Sequence, residues 1–223
     1  MTESRKRPGR GLLPTEPFLY PIIDASMVGE HSFSDWAKWL AGPGKAPLVQ
    51  WRFKSLTDAE ALAGARELRE ATRDLGVMLI INDRPDIARM VEADGVHLGQ
   101  EDLDPEDARA LLPGVLIGLS THNRAQFEAA LTKPVDYIAV GPVFETASKA
   151  NPDPVVGLPF VAWARERTMK PIVAIGGITG TNAASVAQAG ARGLAVISEL
   201  MKAARPAEAA AAFVAAIRGE RAG

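Results

Sequence analysis

The feature that most restricts the fold is an alternation that runs almost the whole length of the chain. Short runs rich in Val, Ile and Leu, at residues 18–23, 48–53, 77–81, 95–98, 115–119, 137–140, 172–175 and 193–197, are each followed by a stretch of helical period. Strands that alternate with helices must be parallel, because a parallel connection has to cross back over the sheet. Several runs are apolar at consecutive positions, as Met78, Leu79, Ile80 and Ile81 show, which fits strands covered on both faces. Eight such units predict an α/β fold, a single (β/α)8 barrel of eight parallel strands with surrounding helices. An open doubly wound sheet is the alternative, but no strand leads into a dinucleotide-type glycine fingerprint.

Local chemistry marks the helices. Thr57 and Glu60 have capping-box spacing, and Gly76 stands where a left-handed C-terminal residue belongs. Pro105 and Pro206 follow Asp104 and Arg205 at first-turn positions, and Asn182 precedes the helix that closes at Gly190. The first helix is expected around residues 34–40. Residues 1–16 are polar, aperiodic and broken by Pro and Gly, so they are expected to be a mobile basic tail. The catalytic barrel is expected over 17–219, with 220–223 as a short C-terminal tail.

Composition narrows the function. A net charge of −2 provides no basic field for phosphate-driven nucleic-acid binding. Zero Cys excludes disulfides, thiolate metal sites and a cysteine nucleophile, and is compatible with a reducing compartment. No apolar stretch reaches the ~18 residues of a membrane span. The expectation is a cytoplasmic enzyme with small-molecule partners, no nucleic acid and no membrane. Gly-x-Ser-x-Gly, His-Glu-x-x-His and Walker patterns are all missing from the sequence.

In a parallel barrel the chemistry sits just after the strands, on the loops of the C-terminal rim. Along the second strand, period two puts Val49, Trp51 and Phe53 on one face and Gln50, Arg52 and Lys54 on the other. Helices cover the outside, so the polar three point inward near the mouth. Two cations there call for an anion, and an anion site is preferred to a structural ion pair. The third strand ends in Asn82 and Asp83, which taken alone fit a helix cap; the fourth leads to Asp102. Two carboxylates beside Arg and Lys suggest a Mg²⁺–polyphosphate site. A second phosphate site, without metal, is expected after strands seven and eight, where Gly176 and Gly177 precede a helix and Ser198 ends a strand. The long loop after the sixth strand, with Thr146, Ser148 and Lys149, is expected to be a lid. Of the three histidines, His31 is expected on a loop, His97 as a hydrogen-bonded interior residue and His122 near a helix cap.

Six segments then carry a resemblance. Gln50-Trp51-Arg52-Phe53-Lys54, Ile81-Asn82-Asp83-Arg84, the run from Asp94 to Asp102 (Asp-Gly-Val-His-Leu-Gly-Gln-Glu-Asp), Ser120-Thr121-His122, Gly141-Pro142-Val143-Phe144 and Val173-Ala174-Ile175-Gly176-Gly177-Ile178 resemble, in order, the motifs of the thiamine-phosphate synthase family. The likeness runs from about residue 20 to residue 198. It implies a small barrel, usually a homodimer, that joins a hydroxymethylpyrimidine diphosphate to a thiazole phosphate, or its 2-carboxylate, and releases diphosphate. By motif, Arg52, Lys54 and Asn82 would hold the diphosphate and Asp83 and Asp102 one Mg²⁺. Gln50 would hold the pyrimidine, with Ser120 beside it and the departing diphosphate. Lys149 would reach the diphosphate, Thr146 and Ser148 the thiazole side, and Gly177, Ile197 and Ser198 the thiazole phosphate. Arg52, Lys54, Ser120 and Lys149 are the residues this resemblance makes catalytic. Ile23, Phe53, Glu145 and Arg192 depart from the family's common residues, which are Thr, an acidic residue, Pro and Asp respectively. A thiazole tautomerase on the same barrel, with His122 as proton carrier, and a non-catalytic binder of thiamine precursors are the alternatives.

Overall fold

The computed structural model describes residues 13–42, 44–146 and 153–219. Among them, eight parallel strands close into a barrel in chain order: β1 Phe18–Asp24, β2 Leu48–Arg52, β3 Met78–Asn82, β4 Gly95–Leu98, β5 Leu116–Thr121, β6 Tyr137–Val140, β7 Ile172–Ile175 and β8 Gly193–Val196. The helices are α1 Phe33–Leu40, α2 Asp58–Leu75, α3 Pro85–Met90, α4 Pro105–Leu111, α5 Arg124–Thr132, α6 Gly157–Arg165, α7 Ala183–Gln188, α8 Ser198–Met201 and α9 Pro206–Arg218. The expected alternation is therefore the fold. The largest displacement is at β5, expected to end at 119 and ending at Thr121. None of these helices is long and apolar enough to cross a membrane.

Alternation along each strand separates two apolar layers. Tyr20, Ile22, Leu48, Ile80, Leu116, Tyr137, Val173 and Ala195 fill the barrel interior. Their neighbours Leu19, Ile23, Val49, Trp51, Leu79, Ile81 and Val96 pack outward against the helices. Leu13 joins the interior cluster with Phe18, so the packed chain begins before residue 17: a buried apolar side chain lies inside the stretch expected to be tail. Residues 1–12 and 220–223 lie outside the described residues.

The helix caps form as the spacing predicts at α2, where Thr57 accepts from Glu60 N and the Glu60 side chain accepts from Thr57 N. Gly76 is left-handed at φ 68°. Asn182 is the N-cap residue of α7 but makes no side-chain cap; its Oδ1 accepts from Thr179 N and its Nδ2 donates to Gly177 O, so it braces the preceding loop instead.

At the N-terminal ends of the strands two carboxylates lock helices to the sheet. Asp94, just before β4, accepts from Leu79 N of β3 and from Arg69 of α2 through the same Oδ2. Asp136, just before β6, accepts in the same way from Ile117 N of β5 and Arg109 of α4. The position equivalent to these two before β8 is Arg192, whose backbone N donates to Ile172 O as Asp94 N does to Leu79 O.

Candidate functional site

A cavity of about 850 Å³ opens at the C-terminal rim and draws lining residues from the ends of all eight strands. Gln50, Arg52 and Lys54 of the second strand and loop line one wall, as the period-two pattern requires. Asn82, Asp83 and Asp102 lie beside them.

Asp83 is not a helix cap. The N-cap of α3 is Arg84, with Pro85 at the first helical position. Asp83 adopts φ +65°, a left-handed conformation that Asp tolerates better than most residues, and its backbone N donates to His97 O at 2.8 Å. That turn delivers the carboxyl into the cavity. There it lies close enough to Asp102 to hydrogen-bond when one of the two holds a proton. Burial first, then the Asp102 carboxyl, pushes Asp83 up to about 6, with Lys54 Nζ at 3.5 Å pulling the other way. Asp102 is itself fixed by accepting from Gly99 N at 2.6 Å.

Arg52 has a partner that the sequence did not suggest. Its neighbour in the β1–β2 register is Asp24, which is buried and paired with the guanidinium. Asp24 also accepts from Ser26 N and Ser26 Oγ. The expected preference for an anion over a structural ion pair is corrected to this extent: one guanidinium nitrogen is used by Asp24. The others make no hydrogen bond among the described residues, and the side chain lines the cavity.

The opposite wall comes from β5 to β8. Ser120, Thr146, Gly177, Ile197 and Ser198 all line it. Gly176 and Gly177 have φ +99° and +64°, and a Cβ on Gly177 would strike Phe144 and the Glu145 carbonyl. The glycines thus let loop six lie against loop seven, where Val143 N donates to Ile175 O and Phe144 N to Gly176 O. Ile197 and Ser198 form the turn into the short helix α8, the usual place for a phosphate in this architecture. Ser148 and Lys149 lie outside the described residues.

A family model described as thiamine monophosphate synthase matches residues 19–200. The chain belongs to that family. It is 46% identical over 190 residues to the thiamine-phosphate synthase of Koribacter versatilis, covering 83% of this chain and 89% of that one. To the thiamine-phosphate synthase of Myxococcus xanthus it is 42% identical over 198 residues, covering 88% and 89%. Among solved structures, thiamine phosphate pyrophosphorylase from Pyrococcus furiosus is 33% identical, with a TM-score of 0.81 and coverage of 91% and 96%. Orotidine 5'-phosphate decarboxylase from Pyrococcus horikoshii, at 18% identity and TM-score 0.64, shares the fold alone.

Membership of the thiamine monophosphate synthase family directs attention to donors for a metal. Among the described residues no three His, Asp or Glu side chains gather where they could hold one. What is present is the Asp83–Asp102 pair: hard oxygen donors, like-charged and crowded, in the number Mg²⁺ takes when phosphate and water complete its shell. These donors fit that ion.

His97 is the hydrogen-bonded interior residue expected, held through Nδ1 by the Tyr137 hydroxyl at 2.9 Å and through Nε2 by Ser120 Oγ at 2.8 Å. Burial pushes it down to about 4. His122 Nδ1 lies 2.7 Å from Gly141 O, an acceptor, so that nitrogen carries a proton. Asp24, Tyr20, Tyr137 and Gln100, whose Nε2 donates to Ser120 O at 2.6 Å, were not anticipated. The same period-two rule that places Gln50 inward, applied to β1 and β6, would have found the two tyrosines.

Proposed function

We propose that this chain joins the hydroxymethylpyrimidine diphosphate to the thiazole phosphate, giving thiamine phosphate and diphosphate. The observation that carries the proposal is the wall on which Asp83, Asp102, Arg52 and Lys54 converge. Like charges crowded in one place and cations left partly unmatched describe a site organised for a ligand carrying both a metal ion and phosphate charge.

In this reading Arg52 and Lys54 bind the diphosphate oxygens and Asn82 supplies a neutral donor. Asp83 and Asp102 would hold Mg²⁺, which when bound would neutralise charge growing on the leaving group. The C–O bond to diphosphate breaks first, with its electron pair leaving on the diphosphate. The resulting pyrimidinylmethyl cation is captured by the thiazole nitrogen, so one C–N bond replaces one C–O bond. Gln50 holds the pyrimidine, and Ser120 lies beside it. Gly177, Ile197 and Ser198 seat the thiazole phosphate across the mouth, with Thr146 on that side; the roles of Ser148 toward the thiazole and of Lys149 toward the diphosphate rest on the family likeness alone. No protein nucleophile is required. A homodimer in the cytoplasm completes the proposal, on the family likeness.

The same wall argues against the two alternatives: a tautomerase of the thiazole phosphate has little use for paired carboxylates beside two cations, and a non-catalytic binder of thiamine precursors would not need both the metal donors and the leaving-group contacts. The test is a two-substrate assay with purified protein. Thiamine phosphate and diphosphate should form only when both substrates and Mg²⁺ are present; a protein that makes neither under those conditions does not have this function.

A further inference from the structure

Below the paired acids a line of hydrogen bonds crosses the barrel interior. Gln50 Nε2 donates to the Tyr20 hydroxyl at 2.9 Å, and the hydroxyls of Tyr20 and Tyr137 are 2.8 Å apart. The Tyr137 hydroxyl lies 2.9 Å from His97 Nδ1, and His97 Nε2 lies 2.8 Å from Ser120 Oγ. The five residues come from β2, β1, β6, β4 and β5, and both end members, Gln50 and Ser120, line the cavity. The two tyrosines are buried. Gly118 makes room for the line, since a Cβ there would collide with the Tyr137 ring.

The direction of the line follows from counting protons. An amide NH₂ can only donate, so Gln50 uses one acceptor site of the Tyr20 oxygen. Tyr20 has a single hydroxyl proton and, among the described residues, one acceptor in reach, the Tyr137 oxygen. Tyr137 in turn has one proton and one acceptor left, His97 Nδ1. With the Gln50 amide nitrogen facing Tyr20, any other arrangement buries a hydroxyl proton with no partner, which is costly; the reverse line would need the Gln50 carbonyl oxygen turned to Tyr20 and Nδ1 of His97 as donor. Nδ1 is therefore an acceptor, the imidazole is neutral, and its proton sits on Nε2 and is given to Ser120 Oγ.

We infer that Tyr20, Tyr137 and His97 are positioning residues that hold Ser120 as a hydrogen-bond donor toward the cavity, with its oxygen already engaged from below. A hydroxyl fixed in that sense suits an anionic oxygen and not an N–H group. Resting on the diphosphate proposal above, its target is an oxygen of the departing diphosphate, where the bond strengthens as charge develops. No proton moves in this step.

Two measurements on the full-length protein test it. Nitrogen-15 NMR of the imidazoles, with His97 assigned by comparison against His31→Gln and His122→Gln proteins, should show an unprotonated Nδ1 and a protonated Nε2. The opposite tautomer reverses the line and overturns the inference, whether or not the protein turns over substrate. In steady-state kinetics Tyr137→Phe, which keeps the ring, should lower kcat about tenfold, equivalent to one hydrogen bond in the transition state, and leave KM for the diphosphate within about twofold. On a Ser120→Ala background Tyr137→Phe should cost nothing more. Losses that simply add mean that Tyr137 acts by packing alone, and the inference fails. A wild type without turnover would instead sink the diphosphate proposal and leave the tautomer to be judged from the spectrum.

Discussion

At the N-terminal end of the barrel Asp94 and Asp136 each meet an arginine and a strand N–H through one oxygen, and opposite charges are matched within each cluster. At the C-terminal end Asp83 and Asp102 face each other, Lys54 stands 3.5 Å off and exposed, and Arg52 is only partly engaged by Asp24. The first arrangement stabilises the folded chain by itself. The second is unfavourable until something else arrives, and its cost is carried by the packing below it. A barrel can keep its fold and its chemistry at opposite ends because the strands between them are rigid and buried.

That contrast breaks if acids at the two ends respond alike to mutation. Asp102→Asn, which retains an acceptor for Gly99 N, should lower kcat by at least about a hundredfold while the thermal midpoint stays level or rises, because a like-charge contact is relieved. An unchanged rate in the coupled assay would remove Asp102 from the site.

Two titrations sharpen it next. His97 takes up its proton near pH 4 in the folded chain and near 6.5 in the unfolded one. Its contribution is therefore present above about 6.5 and lost as pH falls toward 4, by roughly 3 kcal/mol. Asp83 has the opposite sign: with a folded value of about 6 against an ordinary 3.8, its contribution is present below 3.8 and lost as pH rises through 6. Urea unfolding between pH 4 and 7 should accordingly show a steeper acid loss in Asp83→Asn than in the wild type. Equal slopes would contradict the assignment of these groups.

At the other end, Asp94→Ala should cost about 2 kcal/mol of stability, since it leaves the Arg69 guanidinium and Leu79 N without their acceptor. Activity per folded molecule should be unaffected. The smallest effect is a gain. Arg165 of α6 precedes Val173 of β7 by the same eight residues that separate Arg109 of α4 from Ile117 of β5, so Arg192→Asp should add about 1 kcal/mol, read as a higher thermal midpoint.

Much of this was legible in the sequence. The strands announce themselves as unbroken apolar runs, and the inward set Gln50, Arg52 and Lys54 follows from period two once the barrel is accepted. What stayed hidden depends on relations between distant segments. Asp24 meets Arg52 only because the parallel register sets them side by side, which no local pattern states. Tyr20 and Tyr137 are 117 positions apart and meet across the interior. Asp83 looked like a cap because Asn-Asp before a helix usually is one; its left-handed backbone, tied to His97 O, is a tertiary outcome. The Gly176–Gly177 pair suggests room for an anion by pattern alone, and part of that room is taken by loop six.

The central claim is that the carboxylate pair and the two cations form a single site for a metal-bound diphosphate. Thermal unfolding with Mg²⁺ and inorganic diphosphate, added separately and together, tests it most directly. Together they should raise the midpoint of the wild type well beyond the sum of the separate shifts, as binding to the folded state requires, and the excess should vanish in Asp83→Asn and in Asp102→Asn. An equal excess in those variants, or none in the wild type, would contradict it.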